Sequence, residues 1–452
     1  MKTVEFEKSG LTVPVRVVGW LLRLALGGTF IFSGFSKAVD PYGTFYKIAD
    51  YFAAFGWQVP DTLMITAAFG LFTAEFAIGL MLLLGCFRRA SIWASAVVMA
   101  VMLPLSLWLA IANPVPDCGC FGDAFVISNW ATFWKNVILA AACVWLLRVN
   151  VRLHWLITPA LQWIALTVTI AYIIFIGFLG YNIQPPIDFR PYKAGSEMVD
   201  VNAAEESGED DVKLIYRAPD GSEKAFSITD ELPAEEDGWT FLRQEESHAT
   251  AKAQASHSDK DLRIFDGDDD VTAQVILPDQ KQLLLLMPNL TDVTVRDTWP
   301  VNSLYKYCQE HGIDMIAITA ADPETIARWE DISLAEYPIY TAEDTAIKEV
   351  VRGNPALVYL VNGKIKWKQT LGITDVDALT ASGSSKTLDG MAIPMVHYMN
   401  NLTLYATLLI LLLALMSFIP VLLRHRKSPS SPSHPQSPES PESPKAPNSS
   451  ES

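Results

Sequence analysis

Charge is what this sequence has least of. Only 19% of its 452 residues are Asp, Glu, Lys or Arg and half are hydrophobic, with a mean hydropathy of +0.22. A soluble chain carries more charge and less apolar surface, which argues against an ordinary cytoplasmic enzyme and for a membrane protein with a soluble part. Negative charge is concentrated in the soluble part. Residues 186–401 hold 39 acidic and 19 basic side chains, and the remainder holds 11 and 15, so the net charge of −16 divides into −20 and +4. Such an acidic block gives the phosphates of a nucleic acid no surface to bind, and nucleic acid is set aside as a partner.

What the chain does have is long hydrophobic runs. A bilayer core takes about 20 apolar helical residues, and six runs reach that length, at about 14–36, 61–84, 90–112, 131–148, 155–181 and 402–423. The first is too long for a signal peptide and lacks a small-residue cleavage pattern, so it reads as a retained span. Lys2 and Lys8, Arg88 and Arg89, Arg148 and Arg152, and Arg424, Arg426 and Lys427 all fall on one side of the six spans. The bias of Lys and Arg toward the cytoplasm then puts both termini inside. The loops 37–60 and 113–130 and the block 186–401 lie outside, in the periplasm of a cell with an inner membrane. The tail 424–452 ends in Ser, Pro and Glu, cannot bury apolar surface and is expected to be disordered.

The most informative short segment is Asp117-Cys118-Gly119-Cys120-Phe121-Gly122-Asp123, in the outer loop between the third and fourth spans. The single Gly relaxes the backbone enough to let the flanking cysteines bridge. A labile pair in an extracytoplasmic loop suits thiol-disulfide exchange. A permanent clip that shapes the loop is the other reading, although so short a loop gains little from stapling. Asp117 and Asp123 would raise the pKa of a thiolate between them. Zinc is a weaker reading, because the two sulfurs have no neighbouring His and no second cysteine pair. Within the spans, Arg23 and Glu75 lie at heights compatible with an ion pair. Lys37, Asp40 and Lys135 lie near the loop. Ionisable residues in a span are costly and usually paired or functional. They read either as walls of a polar pocket able to hold a quinone or an acidic group, or as a network that locks the bundle. Cys86 and Cys143 read as apolar fillers.

These residues carry a resemblance. Arg23, Ser33-Gly34-Phe35-Ser36-Lys37 with Asp40, Asp50-Tyr51, Ala74-Glu75-Phe76 with Gly79 and Gly85, and Cys118-Gly119-Cys120-Phe121-Gly122 before Thr132-Phe133-Trp134-Lys135-Asn136 make residues 1–150 resemble the DoxX/MauE family of four-helix membrane proteins. The resemblance implies periplasmic thiol chemistry or quinone-linked sulfur oxidation, and its MauE branch assists maturation of a disulfide-rich enzyme. In outline it is also similar to vitamin K epoxide reductase and DsbB, which keep a cysteine pair at the outer surface beside a quinone.

After a fifth span (151–185), an acidic extension (186–270) shows short strand patterns at Val212–Tyr216 and Trp239–Leu242 with a turn at Pro219-Asp220-Gly221. Residues 271–380 order better, with strands at Leu283–Met287, Asp314–Thr319, Pro338–Tyr340, Ala356–Val361 and Lys364–Lys368. Helices are predicted at Asn302–His311, Pro323–Asp331 and Ala346–Val351. This order resembles a thioredoxin-like fold with a cis peptide at Asn354-Pro355. A working thioredoxin would carry Cys-x-x-Cys in the stretch 288–301, which has no cysteine, and Cys308 reads as a core residue. The segment 381–401 is a linker to the last span.

The fold class is thus an α-helical membrane bundle, four DoxX-like spans plus two, with an α/β thioredoxin-like outer domain. One functional reading is a thiol:quinone-type oxidoreductase with Cys118 and Cys120 catalytic. In it, Arg23, Lys37, Glu75 and Lys135 hold a quinone, and a periplasmic protein is the substrate or redox partner. The other is a non-enzymatic platform or maturation factor that recruits envelope partners through its outer domain. Accessibility labelling of single reporter residues in 113–130 and in 186–401 is expected to place both segments on the face opposite the termini. Labelling from opposite faces would remove the basis of both readings.

Overall fold

Proline and glycine set the helix boundaries of the membrane part. The computed structural model describes residues 11–115, 117–198, 212–217, 223–227, 239–246, 262–381 and 383–425. Lys2, Lys8, Arg426, Lys427, the turn at Pro219-Asp220-Gly221 and the Ser/Pro tail beyond residue 425 lie outside the described residues. Helix α1 (Val13–Val39) opens with Pro14 in its first turn and stops at Asp40, because Pro41 follows. Pro41 then opens α2 (Pro41–Ala54), and the Asp40 carboxylate accepts from the Gly43 amide at 2.9 Å to cap it. By its sequence the segment 37–60 reads as a loop, and the structure makes most of it helix. With 14 residues, α2 is too short to cross a membrane, and its pattern is dominated by Tyr and Phe rather than an apolar run.

Helices α3 (Asp61–Leu84), α4 (Arg88–Ala112), α5 (Asn129–Val149) and α6 (Gln162–Asn182) complete the N-terminal part, and α1 and α3 to α6 are long and apolar enough to cross a membrane. The fifth run begins as helix only at Gln162. Residues before it, around Thr158-Pro159, fold back so that the Leu156 amide bonds the Leu84 carbonyl at 2.9 Å. Helices α1 and α3 touch backbone to backbone. A Cβ on Gly79 would lie 2.7 Å from both the Gly27 carbonyl and the Ile31 amide, and one on Gly34 would lie 2.5 Å from the Phe76 amide. Such close approach is how membrane helices gain contact where lipid removes the hydrophobic drive.

Beyond α6 the chain builds sheets. Strands β1 (Val212–Arg217), β2 (Glu223–Ser227) and β3 (Thr240–Glu246) form a small antiparallel sheet in the order β2-β1-β3. The larger domain begins with β4 (Phe265–Asp266) and β5 (Asp269–Asp270), then α7 (Thr272–Val275), β6 (Lys281–Met287), α8 (Val295–Glu310) and β7 (Asp314–Thr319). It continues through α9 (Pro323–Ser333), β8 (Ile339–Thr341), α10 (Asp344–Val350), β9 (Ala356–Val361), β10 (Lys364–Thr370) and α11 (Val376–Thr380). Its sheet runs β10-β9-β6-β7-β8-β4-β5, with β6, β7 and β8 parallel and the others antiparallel to their neighbours. The sheet therefore takes in Phe265–Asp270, on the near side of the boundary at 271.

Alternation along β6 divides the core. Leu283, Leu285 and Met287 pack on Val301, Leu304 and Cys308 of α8, and Leu284 and Leu286 pack on Ile347 and Val350 of α10. Helix α8 starts seven residues before the expected Asn302 and runs through Pro300. Its start is fixed by a capping box between Thr294 and Asp297, a signal the sequence reading passed over. The Asn354-Pro355 peptide is cis, as expected. Helix α12 (Met395–His425) returns to the membrane as the sixth long apolar helix. It packs on α6, where Tyr172 and Thr403 share a 3.0 Å hydrogen bond, and near the other end the Thr158 amide donates to Ser417 Oγ at 2.9 Å.

Replacing Gly79 by Leu should force α1 and α3 apart and lower the thermal midpoint of the detergent-solubilised protein, an overpacking cost of about 1–3 kcal/mol. Gly70→Leu, where nothing lies within 4 Å of the added Cβ, should leave the midpoint unchanged.

Candidate functional site

The loop between α4 and α5 folds over the ends of α1 and α2. Cys118 and Cys120 form a disulfide with their Cα atoms 5.4 Å apart. Gly119 between them has φ +63°, and a Cβ there would lie 2.9 Å from the Lys47 side chain, so both conformation and space call for glycine. From α2, the Tyr51 hydroxyl donates to the Cys118 carbonyl at 2.7 Å, and Lys47 Nζ pairs with Asp117 at 2.8 Å. Asp117 also accepts from the Gly119 amide at 2.8 Å. Both cysteines are buried.

From below, α1 and α3 hold the loop by a buried polar chain. Lys37 Nζ reaches the two Glu75 carboxylate oxygens at 2.9 and 2.7 Å and also Ser33 Oγ, one turn earlier on α1, at 2.9 Å. The single proton of Ser33 is shared between the Cys120 carbonyl at 2.6 Å and Glu75 at 2.8 Å. The Lys37 and Glu75 side chains are only 6% and 5% exposed. An ion pair so buried stands because every oxygen and proton finds a partner. Beside it lies a cavity of about 30 Å³ lined by Ser33, Glu75, Cys120, Phe121, Lys135 and Asn136, together with apolar side chains of α1, α4 and α5. Lys135 Nζ sits 4.1 Å from the centre of the Phe121 ring. That volume holds about two waters. In this arrangement it does not fit a quinone ring.

From above, the α/β domain closes on the same loop. Arg352, three residues before the cis proline, places Nε 2.9 Å from Asp40 and Nη2 2.9 Å from Asp123. Its guanidinium also lies over the Tyr46 ring and donates to the Lys348 carbonyl, and its amide donates to Gln184 Oε1 at 3.0 Å. Burial opposes the charge on Arg352, but Asp40 and Asp123 hold it firmly protonated. Burial raises the Asp123 carboxyl, and the like charge of Asp40 adds to it, against the pull of Arg352. Burial likewise pushes Tyr46 up to about 12.

Of the residues singled out in the sequence, Cys118, Cys120, Lys37, Glu75 and Lys135 come together. Arg23 does not. Its guanidinium bonds Asn150 Oδ1 at 2.7 and 3.0 Å and the His154 carbonyl at 2.9 Å, so the expected pair with Glu75 is absent. The reason is helix register: Ser33 is level with Glu75 and lies ten residues along α1 from Arg23, roughly 15 Å. Nor do Asp117 and Asp123 face the cysteines as bare charges, since Lys47 and Arg352 pair with them. Sequence reading missed Arg352 and Lys47 altogether. Ser33 appeared only within the Ser33-Gly34-Phe35-Ser36-Lys37 resemblance, without a role, although its i to i+4 spacing from Lys37 puts the two on one helix face.

Residues 15–149 match the family model described as Methylamine utilisation protein MauE. The match takes in α1 to α5 and the Cys-Gly-Cys loop and stops short of α6 and the α/β domain. No curated protein matches the chain. Every side chain in the polar chain below the loop therefore lies in the MauE-like segment, whereas Arg352 comes from outside it.

Replacing Arg352 by Met leaves the buried Asp40 and the half-buried Asp123 without a cation, which should cost about 3 kcal/mol. Both carboxylates then favour protonation, so the folded state binds more protons than the unfolded one over the mildly acidic range. The loss should shrink as pH falls through that range and grow as it rises. Thermal unfolding in detergent at several pH values checks the sign. Adding Asp40→Asn and Asp123→Asn to the Arg352 variant should remove the pH dependence.

Proposed function

We propose that the protein is a thiol-disulfide redox protein of a bacterial inner membrane, with the Cys118–Cys120 pair on the periplasmic face as its working couple. The observation that carries the reading is the seating of that bond. It lies in a loop gripped by buried charged groups and lines a cavity that also holds Glu75 and Lys135. A clip that only shaped the loop would need none of these costly groups beside it. The chemistry is an exchange in which a periplasmic dithiol loses two electrons and its two protons to become a disulfide, as the Cys118–Cys120 bond takes up the two electrons and opens. The reverse exchange would oxidise the two cysteines again.

In this reading the α/β domain is thioredoxin-like in order and serves as a docking cap, because the start of α8 carries no cysteine and Cys308 is buried, its thiol pushed up to about 12 by burial. Similarity of residues 15–149 to the MauE family supports a role in the disulfide chemistry of envelope proteins. The DoxX likeness points the same way.

Thiol trapping in intact cells tests it. After a pulse of reductant, Cys118 and Cys120 should be found as thiols and then return to the disulfide when the reductant is removed. A bond that stays closed under every supply of reductant would leave the structural clip as the function of the pair.

A further inference from the structure

The Cys-Gly-Cys loop has two electrically different sides. On the side facing α2 and the α/β domain two cations meet three carboxylates, with Lys47 on Asp117 and Arg352 between Asp40 and Asp123. On the bundle side, Lys37 and Glu75 neutralise one another, and Lys135 remains as an additional cation. Among the described residues no carboxylate lies within ion-pair distance of Lys135, and the group against its ammonium is the Phe121 ring. A cation facing an apolar cavity from a membrane helix is expensive, and an aromatic ring offsets about 0.5–2 kcal/mol of that. Of the two cysteines, equally buried, Cys120 lines this cavity and Cys118 does not; Cys118 packs beside Leu109 and Val115, and its carbonyl accepts from Tyr51 of α2, so a partner reaches it only when the loop lifts.

We propose that Lys135 is the counter-charge for a thiolate on Cys120, which makes Cys120 the leaving sulfur and Cys118 the sulfur that exchanges with a partner. This rests on the redox reading above. A partner dithiol that has already lost one proton to water attacks Cys118 Sγ. The new partner–Cys118 bond forms as the Cys118–Cys120 bond breaks, and the electron pair stays on Cys120 Sγ beside the cavity. The partner's second sulfur then closes on its first, releasing Cys118 and passing it the remaining proton. The partner leaves as a disulfide, and the protein holds a Cys118 thiol and a Cys120 thiolate. A lower pKa makes Cys120 the better leaving group in the first step. Lys135 acts as a positioning charge, and the groups it works against are Glu75 and Lys37 from α3 and α1 and, across the loop, the Asp123–Arg352–Asp40 set.

The test uses the full chain in detergent with Cys118→Ser, reading alkylation of Cys120 by iodoacetamide from peptide masses between pH 5 and 10. Half-maximal reactivity is expected at least one pH unit below the ordinary thiol value of about 8.5. Lys135→Met should raise that midpoint by a unit or more, and Lys135→Arg should keep it low. A midpoint at or above the ordinary value, or one indifferent to Lys135→Met, overturns the proposal. Cys143 and Cys308 are buried and report on folding. If Lys135→Met exposes them to reagent, the midpoint measured with Lys135 in place and the Lys135→Arg value decide. An acidic, Lys135-dependent Cys120 in a protein whose disulfide never opens in cells would support the electrostatic assignment while ending the redox reading.

Discussion

A charge inside a lipid-embedded bundle survives only if something close by answers it, and that constraint shapes the end of the bundle that carries the Cys-Gly-Cys loop. Lys37 is answered by Glu75, Arg352 by Asp40 and Asp123, and Lys47 by Asp117. Such pairs need not add much net stability, because desolvation consumes much of the attraction. They are demanding in geometry, however, and these three converge on one short loop. The loop is therefore held from α1 and α3 below, from α2 at the side and from the α/β domain above. Ser33 completes the arrangement by joining the ion pair to the Cys120 carbonyl.

The membrane spans were legible because apolar length is a one-dimensional property, and four of the six helices lie close to their runs, whereas α6 starts seven residues later than expected and α12 seven earlier, inside the expected linker. The α/β domain was also legible, since turn residues and short apolar runs are local signals. Strands β7 and β9 have the expected limits, and Cys308 is in the core. Helix α2 was not legible, because a short aromatic helix has neither the length of a span nor the polarity of a loop. The pairing of ionisable residues was hardest to foresee. Whether Glu75 meets Arg23 or Lys37 depends on how far α1 is displaced along α3, which no run of residues records. Arg352 lies more than two hundred positions from Asp123, and nothing around it except the Gly-Asn-Pro that follows marks it out.

The division of labour between the two halves is unusual in its chemistry. The α/β domain brings a cis-proline loop and an arginine to the interface and keeps its one cysteine in the core. The bundle supplies the sulfur pair. Arg190 and Lys368 around Asp188 fasten the segment after α6 to the same domain, and there Lys368 is drawn down to about 8 by burial and by the neighbouring Arg190 despite its bond to Asp188.

The α/β domain leaves the bundle through α6 and rejoins it through α12, and these helices lie against each other at Tyr172 and Thr403. A module moored by two adjacent stems cannot drift away when its ionic grip opens; it can only tilt. Its local concentration above the sulfur pair then stays on the order of millimolar or more, without affinity of its own. The grip can accordingly open and still reclose without the two parts separating.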